Sequence, residues 1–344
     1  MPLEDLAAGV VLLGLIAYAM FGGADFGGGV WTALASGPRA AQQREAISRA
    51  MGPVWETNHV WLILIVVTLF TAFPPAFADL FTALLVPLVV VLVGIVFRGA
   101  AFAFRHFAHG TEAGIPGIGA LFSVASIVTP LTMGMALGAI AGGHITIEDG
   151  VVTSGIWEPW LQPFSIFCGL IAVAICGFLT AYYMITRTTG ELQKDFRKRG
   201  LVAGLLLGAL MAIALPVAYW DADPFWDELV KPSALAVMSA AAAVWLTSLV
   251  VLWRRWYVLA PPVAAGTVGL VIGGWAAVQY PYFILPNERI SDVAAGDATL
   301  GPFLIALAVG AIILVPSLIL LYVTFSEKTG GADDQGEGED RVAS

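Results

Sequence analysis

Nine apolar runs of about twenty residues or more recur along this chain, near 6–34, 52–78, 80–104, 115–142, 161–186, 201–219, 232–252, 258–280 and 301–325. A helix rises 1.5 Å per residue, so about 20 residues cross a hydrocarbon core of ~30 Å. Composition agrees: 12% of the 344 residues are charged and 59% hydrophobic, where soluble domains carry roughly 25% charge. So few charges cannot wet a globule of this length. The expected fold is therefore an all-α polytopic membrane protein of about nine transmembrane helices. The short alternating segments of a membrane β-barrel are not found in the sequence. Met1-Pro-Leu-Glu-Asp5 has no basic n-region, and the run behind it outlasts a signal h-region, so it reads as an uncleaved first span.

The joints between runs carry the orientation. Twelve of the sixteen Lys and Arg fall in four alternate joints: Arg39, Arg44 and Arg49; Arg98 and Arg105; Arg187, Lys194, Arg197, Lys198 and Arg199; Arg254 and Arg255. The intervening joints hold Lys231 and Arg289 against Asp79, Glu148, Asp149, Glu158, Asp221, Asp223, Asp227, Glu228, Glu288, Asp292 and Asp297. Basic joints stay on the cytoplasmic side, which predicts the N-terminus outside and the C-terminus inside. Trp157, Trp160, Trp220, Trp226, Tyr280 and Tyr282 suit an outer lipid–water boundary.

The net charge of −9 is partly an effect of the tail, where Glu327, Asp333, Asp334, Glu337, Glu339 and Asp340 cluster among glycines. Residues 1–326 thus read as one transmembrane helical domain and 327–344 as a disordered acidic cytoplasmic tail. No basic cluster fits nucleic acid. Cys168 and Cys176 stand two turns apart on one predicted helix, too far for a disulfide, and read as packing residues. No internal sequence repeat is evident, although two four-helix units plus one helix suit the count.

An ionisable side chain within a span costs at least ~2.5–3.5 kcal/mol on insertion scales, so each one is a functional candidate. Asp25 lies in Phe21-Gly-Gly-Ala-Asp-Phe-Gly-Gly-Gly-Val-Trp31, ~28 Å along the first span and close to its cytoplasmic edge. The glycines let neighbouring helices approach. Glu56 opens the second span in Gly52-Pro-Val-Trp-Glu-Thr-Asn-His-Val-Trp-Leu62; His59, one turn on, shares its face, and Asn58 lies beside them. Arg98 enters from the cytoplasmic end of the third span. Carboxylates and imidazole in series are the parts of a proton relay. The plainer readings stay open: Asp25 with Arg98 as a structural ion pair, Glu56 as a carboxylate at a helix N-terminus, His59 as a packing residue.

A haem held by two His, or by His and Met, needs ligands on facing helices at matched depth. His106 and His109 fall in a cytoplasmic joint, His144 in an outer one, and Met133 and Met135 off the level of His59, the one intramembrane His. The chain is therefore expected to bind no haem and no metal. A quinone needs only an apolar slot with a few polar groups, and that question stays open.

The Gly-Gly-Ala-Asp-Phe-Gly-Gly-Gly run followed by Trp55-Glu-Thr-Asn-His-Val-Trp61 resembles subunit II of cytochrome bd-type quinol oxidases. Phe97-Arg98, Arg187-Thr-Thr-Gly-Glu-Leu192, Tyr280-Pro-Tyr-Phe283, Asp297-Ala-Thr-Leu300 and Val315-Pro-Ser-Leu-Ile-Leu-Leu-Tyr322 extend the likeness along the chain. The resemblance implies two four-helix bundles with one peripheral helix. It also implies a partner, subunit I, that carries haems b and haem d, while quinol is the substrate of the complex and O₂ is reduced to water. This chain would support that partner and take up protons from the cytoplasm through Asp25, Glu56, Asn58, His59 and Arg98, with no catalytic residue of its own. Trp61 matches a residue on an apolar oxygen route in some members. Glu56 stands where the family often has Asp, and His59 where some members have Gln. Small single-helix subunits and membrane lipids complete the expected contacts, in a prokaryotic cytoplasmic membrane. Two other classes remain: an ion-coupled secondary transporter, whose pointer is interrupted helices at matching places in two repeats, and a purely structural membrane scaffold.

Overall fold

The computed structural model describes residues 2–51, 55–107 and 117–324, with the side chains at 51, 55–57, 105–107 and 321–324 outside that description. The Glu56 and His106 side chains, His109 and the tail 327–344 thus lie outside the described residues. What is described is helical apart from two small hairpins, and it repeats. A first unit runs α1 (Leu3–Ala33), α2 (Ala40–Met51), α3 (Trp55–Ala72), α4 (Pro74–Ala83), α5 (Leu85–Phe107), α6 (Ile118–Gly142) and a hairpin of β1 (Ile147–Glu148) with β2 (Val151–Val152). A second runs α7 (Pro163–Arg187), α8 (Gly190–Asp221), α9 (Asp223–Leu229), α10 (Pro232–Trp253), α11 (Ala260–Gln279) and a hairpin of β3 (Tyr282–Ile284) with β4 (Glu288–Arg289). α12 (Ile290–Val293) and α13 (Asp297–Thr324) follow.

Leaving aside α2, which the second unit lacks, in each unit two long helices are followed by a short one, then two more long helices and a hairpin. The backbone breaks ahead of the short helices almost coincide: Phe73 has φ −136° and ψ 58°, Ala222 φ −140° and ψ 60°. Prolines in the next turn explain both, since Pro lacks the N–H a continuing helix needs but is tolerated at a helix start. At Phe73 the chain turns by 119°. The apolar run 52–78 is therefore two helices, and the joint placed between 78 and 80 is the ten-residue α4. Apolarity alone could not reveal this, because Pro74-Pro75-Ala-Phe is as lipid-compatible as what precedes it. Eight described helices are long and apolar enough to cross a membrane, nine if α3 and α4 count as one bent span.

Two further corrections concern the basic joints. The joint after α7 is helical, since α8 has 32 residues, ~48 Å, and outruns the bilayer core. The first joint holds α2, whose polar and apolar residues segregate to opposite faces.

The predicted alternation of joints between two faces is visible in their contacts. On the basic face, Arg39 grips Asp195 with paired bonds of 2.8 and 2.6 Å, Gln43 bonds both Asp195 and Arg199, and Arg197 donates to the carbonyls of Leu252 and Trp253. These bonds join the joints after the first, fifth and seventh spans. On the acidic face, His144 Nε2 bonds the Asp221 carbonyl, Asn287 donates to Ile145, and the Ala295 amide to Ala72. These bonds join the remaining described joints. α7 is the central post, with Phe178, Tyr182, Met184 and Ile185 all wholly buried. α13 is peripheral: no residue in its apolar window is buried.

Candidate intramembrane polar site

Asp25 and Arg98 are the two charged side chains buried among the described residues, 4% and 3% exposed. Both belong to the first unit. Asp25 lies eight residues before the end of α1 and Arg98 nine before the end of α5, so each is ~12–14 Å inside its helix terminus. Arg98 is thus well within α5 and not at the end of its span, because the helix continues to Phe107. α1 and α5 both run toward the basic face, and this parallel course brings the two depths into register. The pairing itself comes from the glycines. A Cβ at Gly27 would overlap the Cys176 carbonyl on α7, and one at Gly29 the Ser126 side chain on α6. Lacking them, α1 sinks between α6 and α7.

The Arg98 guanidinium meets the Asp25 carboxylate at 2.6 Å. It also donates to the Asp25 carbonyl at 3.2 Å and, through Nε, to Ser126 Oγ at 3.2 Å. Ser126 in turn donates to the Phe122 carbonyl at 2.7 Å. The rings of Phe26 and Phe122 lie 4.8 and 5.2 Å from the Arg98 Cζ. A cation over aromatic faces gains electrostatic attraction without water, and the planar fork of Arg suits a buried carboxylate better than a Lys ammonium. Thr180 Oγ1 bonds the Ala24 carbonyl, tying α7 to the turn that carries Asp25.

Of the sequence candidates, Asp25 and Arg98 meet directly, and His59, with Asn58 before it on α3, lies within electrostatic reach of both. Asn58 is 4% exposed, three residues into α3, and His59 follows it within electrostatic reach of Arg98 and Asp25. Glu56 is the second residue of α3, with its side chain outside the described residues. Trp61 stacks on Phe21 with ring centres 6.2 Å apart.

Sequence reasoning missed Tyr18, Ser126 and the two phenylalanines around Arg98. Tyr18 carried a signal, being two turns before Asp25 on the same face of α1. Ser126 and Phe122 carried none, because they meet Arg98 only through the packing of α6 on α1 and α5.

As to haem or metal, no group of three His, Cys, Asp or Glu side chains among the described residues could hold a metal ion. The ring of His59 neighbours Tyr18 at 6.3 Å, and Cys168 and Cys176 stand on one helix.

A further carboxylate grouping lies on the acidic face, where Glu288 of β4 contacts Asp79 of α4 near Asp292 of α12. Burial first, then the bond to Asp79, then the charges of Asp79 and Asp292 push the Glu288 carboxyl up to about 7.

The family described as Cytochrome bd terminal oxidase subunit II matches residues 3–325. The chain is 30% identical over 212 residues to the cytochrome bd-I ubiquinol oxidase subunit 2 of Escherichia coli K12, covering 61% of this chain and 54% of that protein. It thus spans about half the length of that curated relative. With the cytochrome bd ubiquinol oxidase subunit 2 of Bacillus subtilis 168 it shares 26% over 247 residues, 69% of each. In fold it is similar to a chain of the bd oxidase from Geobacillus thermodenitrificans, with TM-score 0.74, 20% identity, and 94% and 99% of the two chains covered.

Proposed function

Because this chain belongs to the cytochrome bd terminal oxidase subunit II family, we propose that it is the second subunit of a quinol-oxidising, oxygen-reducing complex, where it braces a haem-bearing subunit I and provides a cytoplasmic proton inlet. It is a multi-pass protein of the bacterial inner membrane. The proposed orientation puts its basic face in the cytoplasm, the N-terminus outside and the tail 327–344 inside. Haems b and haem d belong to the partner. The neighbours of His59 among the described residues, Tyr18 and the Asp25–Arg98 pair, support this reading.

One observation carries the inlet: a carboxylate–guanidinium pair buried well inside its helices, with His59 of α3 within electrostatic reach of it. A pair kept only for stability is a weak device, because well-packed apolar residues often do as well. In the inlet reading, Arg98 orients the Asp25 carboxylate, Asp25 and Glu56 receive protons from the cytoplasmic joint, and His59 passes them along α3. Trp61, stacked on Phe21, belongs to the apolar wall beside this route and suits passage of oxygen.

Glu56→Gln tests the reading. The complex should assemble with its haem content intact, while proton uptake during O₂ reduction slows roughly tenfold or more. Unchanged turnover and uptake would overturn the inlet. The transporter reading finds matching helix breaks at Phe73 and Ala222, but the family match over residues 3–325 favours the oxidase subunit.

A further inference from the structure

Tyr18 stands on α1 seven residues before Asp25, which places it on the same face and ~10 Å further from the basic end. Its side chain is among the buried ones, 7% exposed, yet its hydroxyl has no hydrogen-bond partner among the described residues. The ring lies against Gly22, where a Cβ would come within 3.2 Å of it. The phenol therefore leans one turn toward Asp25. Asp25 and Arg98 are within electrostatic reach of the hydroxyl, and the His59 ring is 6.3 Å away.

A phenol O–H left unpaired in an apolar interior costs about 1–3 kcal/mol, and a phenylalanine of the same shape would avoid it. Polar pockets of this kind are where proteins hold internal water, each molecule meeting about three polar partners. The hydroxyl, the carboxylate of Asp25 and the imidazole of His59 are such partners, and they come from α1 and α3.

We propose that Tyr18 is a relay residue: its hydroxyl and an internal water held beside Asp25 and His59 carry protons about one helical turn deeper than the ion pair. This rests on the inlet reading above. The step conserves charge. Asp25, protonated from the cytoplasmic side, gives its proton to the water as the water gives one to the phenol oxygen and the phenol O–H proton passes to a second internal water on the far side. Tyr18 is neutral before and after, and no electron moves.

The test is Tyr18→Phe in the complete oxidase complex. Assembly and haem content should be retained, with proton uptake during O₂ reduction slowed roughly tenfold and the D₂O effect on turnover increased. Unchanged uptake and D₂O effect in Tyr18→Phe, with Glu56→Gln slowed, would overturn the relay and leave the inlet standing. If both variants behave as wild type, the inlet itself fails and the relay with it. Should Tyr18→Phe not assemble, infrared difference spectra of the wild-type complex decide. A water band that shifts in oxygen-18 water, coupled to a ring-labelled tyrosine, is expected during turnover, and its absence overturns the relay.

Discussion

At the residue scale the energetics centre on one ion pair. Arg98 spends its donors on the Asp25 carboxylate, the Asp25 carbonyl and Ser126, so the cation is well satisfied only while Asp25 is charged. Removing one partner leaves an uncompensated charge in the membrane interior, whereas removing both leaves none. Asp25→Ala should therefore destabilise the chain by about 3–5 kcal/mol. The double variant Asp25→Leu with Arg98→Leu should recover most of that loss in stability. Melting curves of the purified complex check both, and equal losses in single and double variants would argue against a coupled pair. Gly27→Ala belongs to the same scale. Its methyl would meet the Cys176 backbone carbonyl, which cannot swing aside as a side chain can, so α1 must shift off α7 at a cost of about 1–3 kcal/mol.

At the element scale the two units share a plan but not a chemistry. Matching breaks at Phe73 and Ala222 set α4 and α9 on the acidic face, and each fourth span ends in a hairpin. Yet among the described residues the buried charges, Asp25 and Arg98, both belong to the first unit. The interior of the second is apolar, with neutral pairs such as Tyr182 with Ser248. The β3–β4 hairpin docks on α4 through Glu288 and Asp79, and that contact should respond to pH. Glu288 is held up to about 7 from an ordinary value of 4.5. Between those values the folded state binds a proton that the unfolded state does not. The resulting stability is complete below about pH 4.5 and is lost as pH rises through about 7. Glu288 is half-buried, so solvent screening reduces the effect to on the order of 1 kcal/mol. The melting temperature of the wild type should fall between about pH 5 and pH 8, and Glu288→Gln should flatten that fall. Parallel pH profiles for the two proteins would show that the carboxyl pair is not responsible.

At the scale of the whole molecule, opposite faces carry opposite charge, and the positive-inside rule assigns each to a compartment. Single cysteines placed at Asp149 and at Gln335, with Cys168 and Cys176 replaced by alanine, report on this directly. A membrane-impermeant thiol reagent applied to intact cells should label position 149 and spare position 335. The reverse pattern would invert the molecule and put the Asp25 level near the outer face, removing the cytoplasmic inlet. Cys168 and Cys176 stand on α7, the central post, and Cys168→Ala with Cys176→Ala tests in passing their role as packing residues.

Local composition was enough to establish the solvent, the class of fold and the division of joints between two faces. Each of these follows from how many apolar residues a bilayer requires and where Lys and Arg accumulate, quantities that sum along the chain without reference to contacts. The likeness to subunit II of bd-type oxidases was legible for the same reason: Asp25 among its glycines and the Trp55–Trp61 run are contiguous strings. What tertiary structure decided is what depends on distant segments meeting. The 119° turn at Phe73, the helical joint that begins α8, and the recurrence of one plan in two units are invisible to hydropathy, since apolar residues serve a bent helix as well as a straight one. The same holds for Ser126, Phe122 and Tyr18 around the ion pair. Their roles arise because α1, lacking side chains at Gly27 and Gly29, packs close enough to α6 and α7 for Arg98 to reach across.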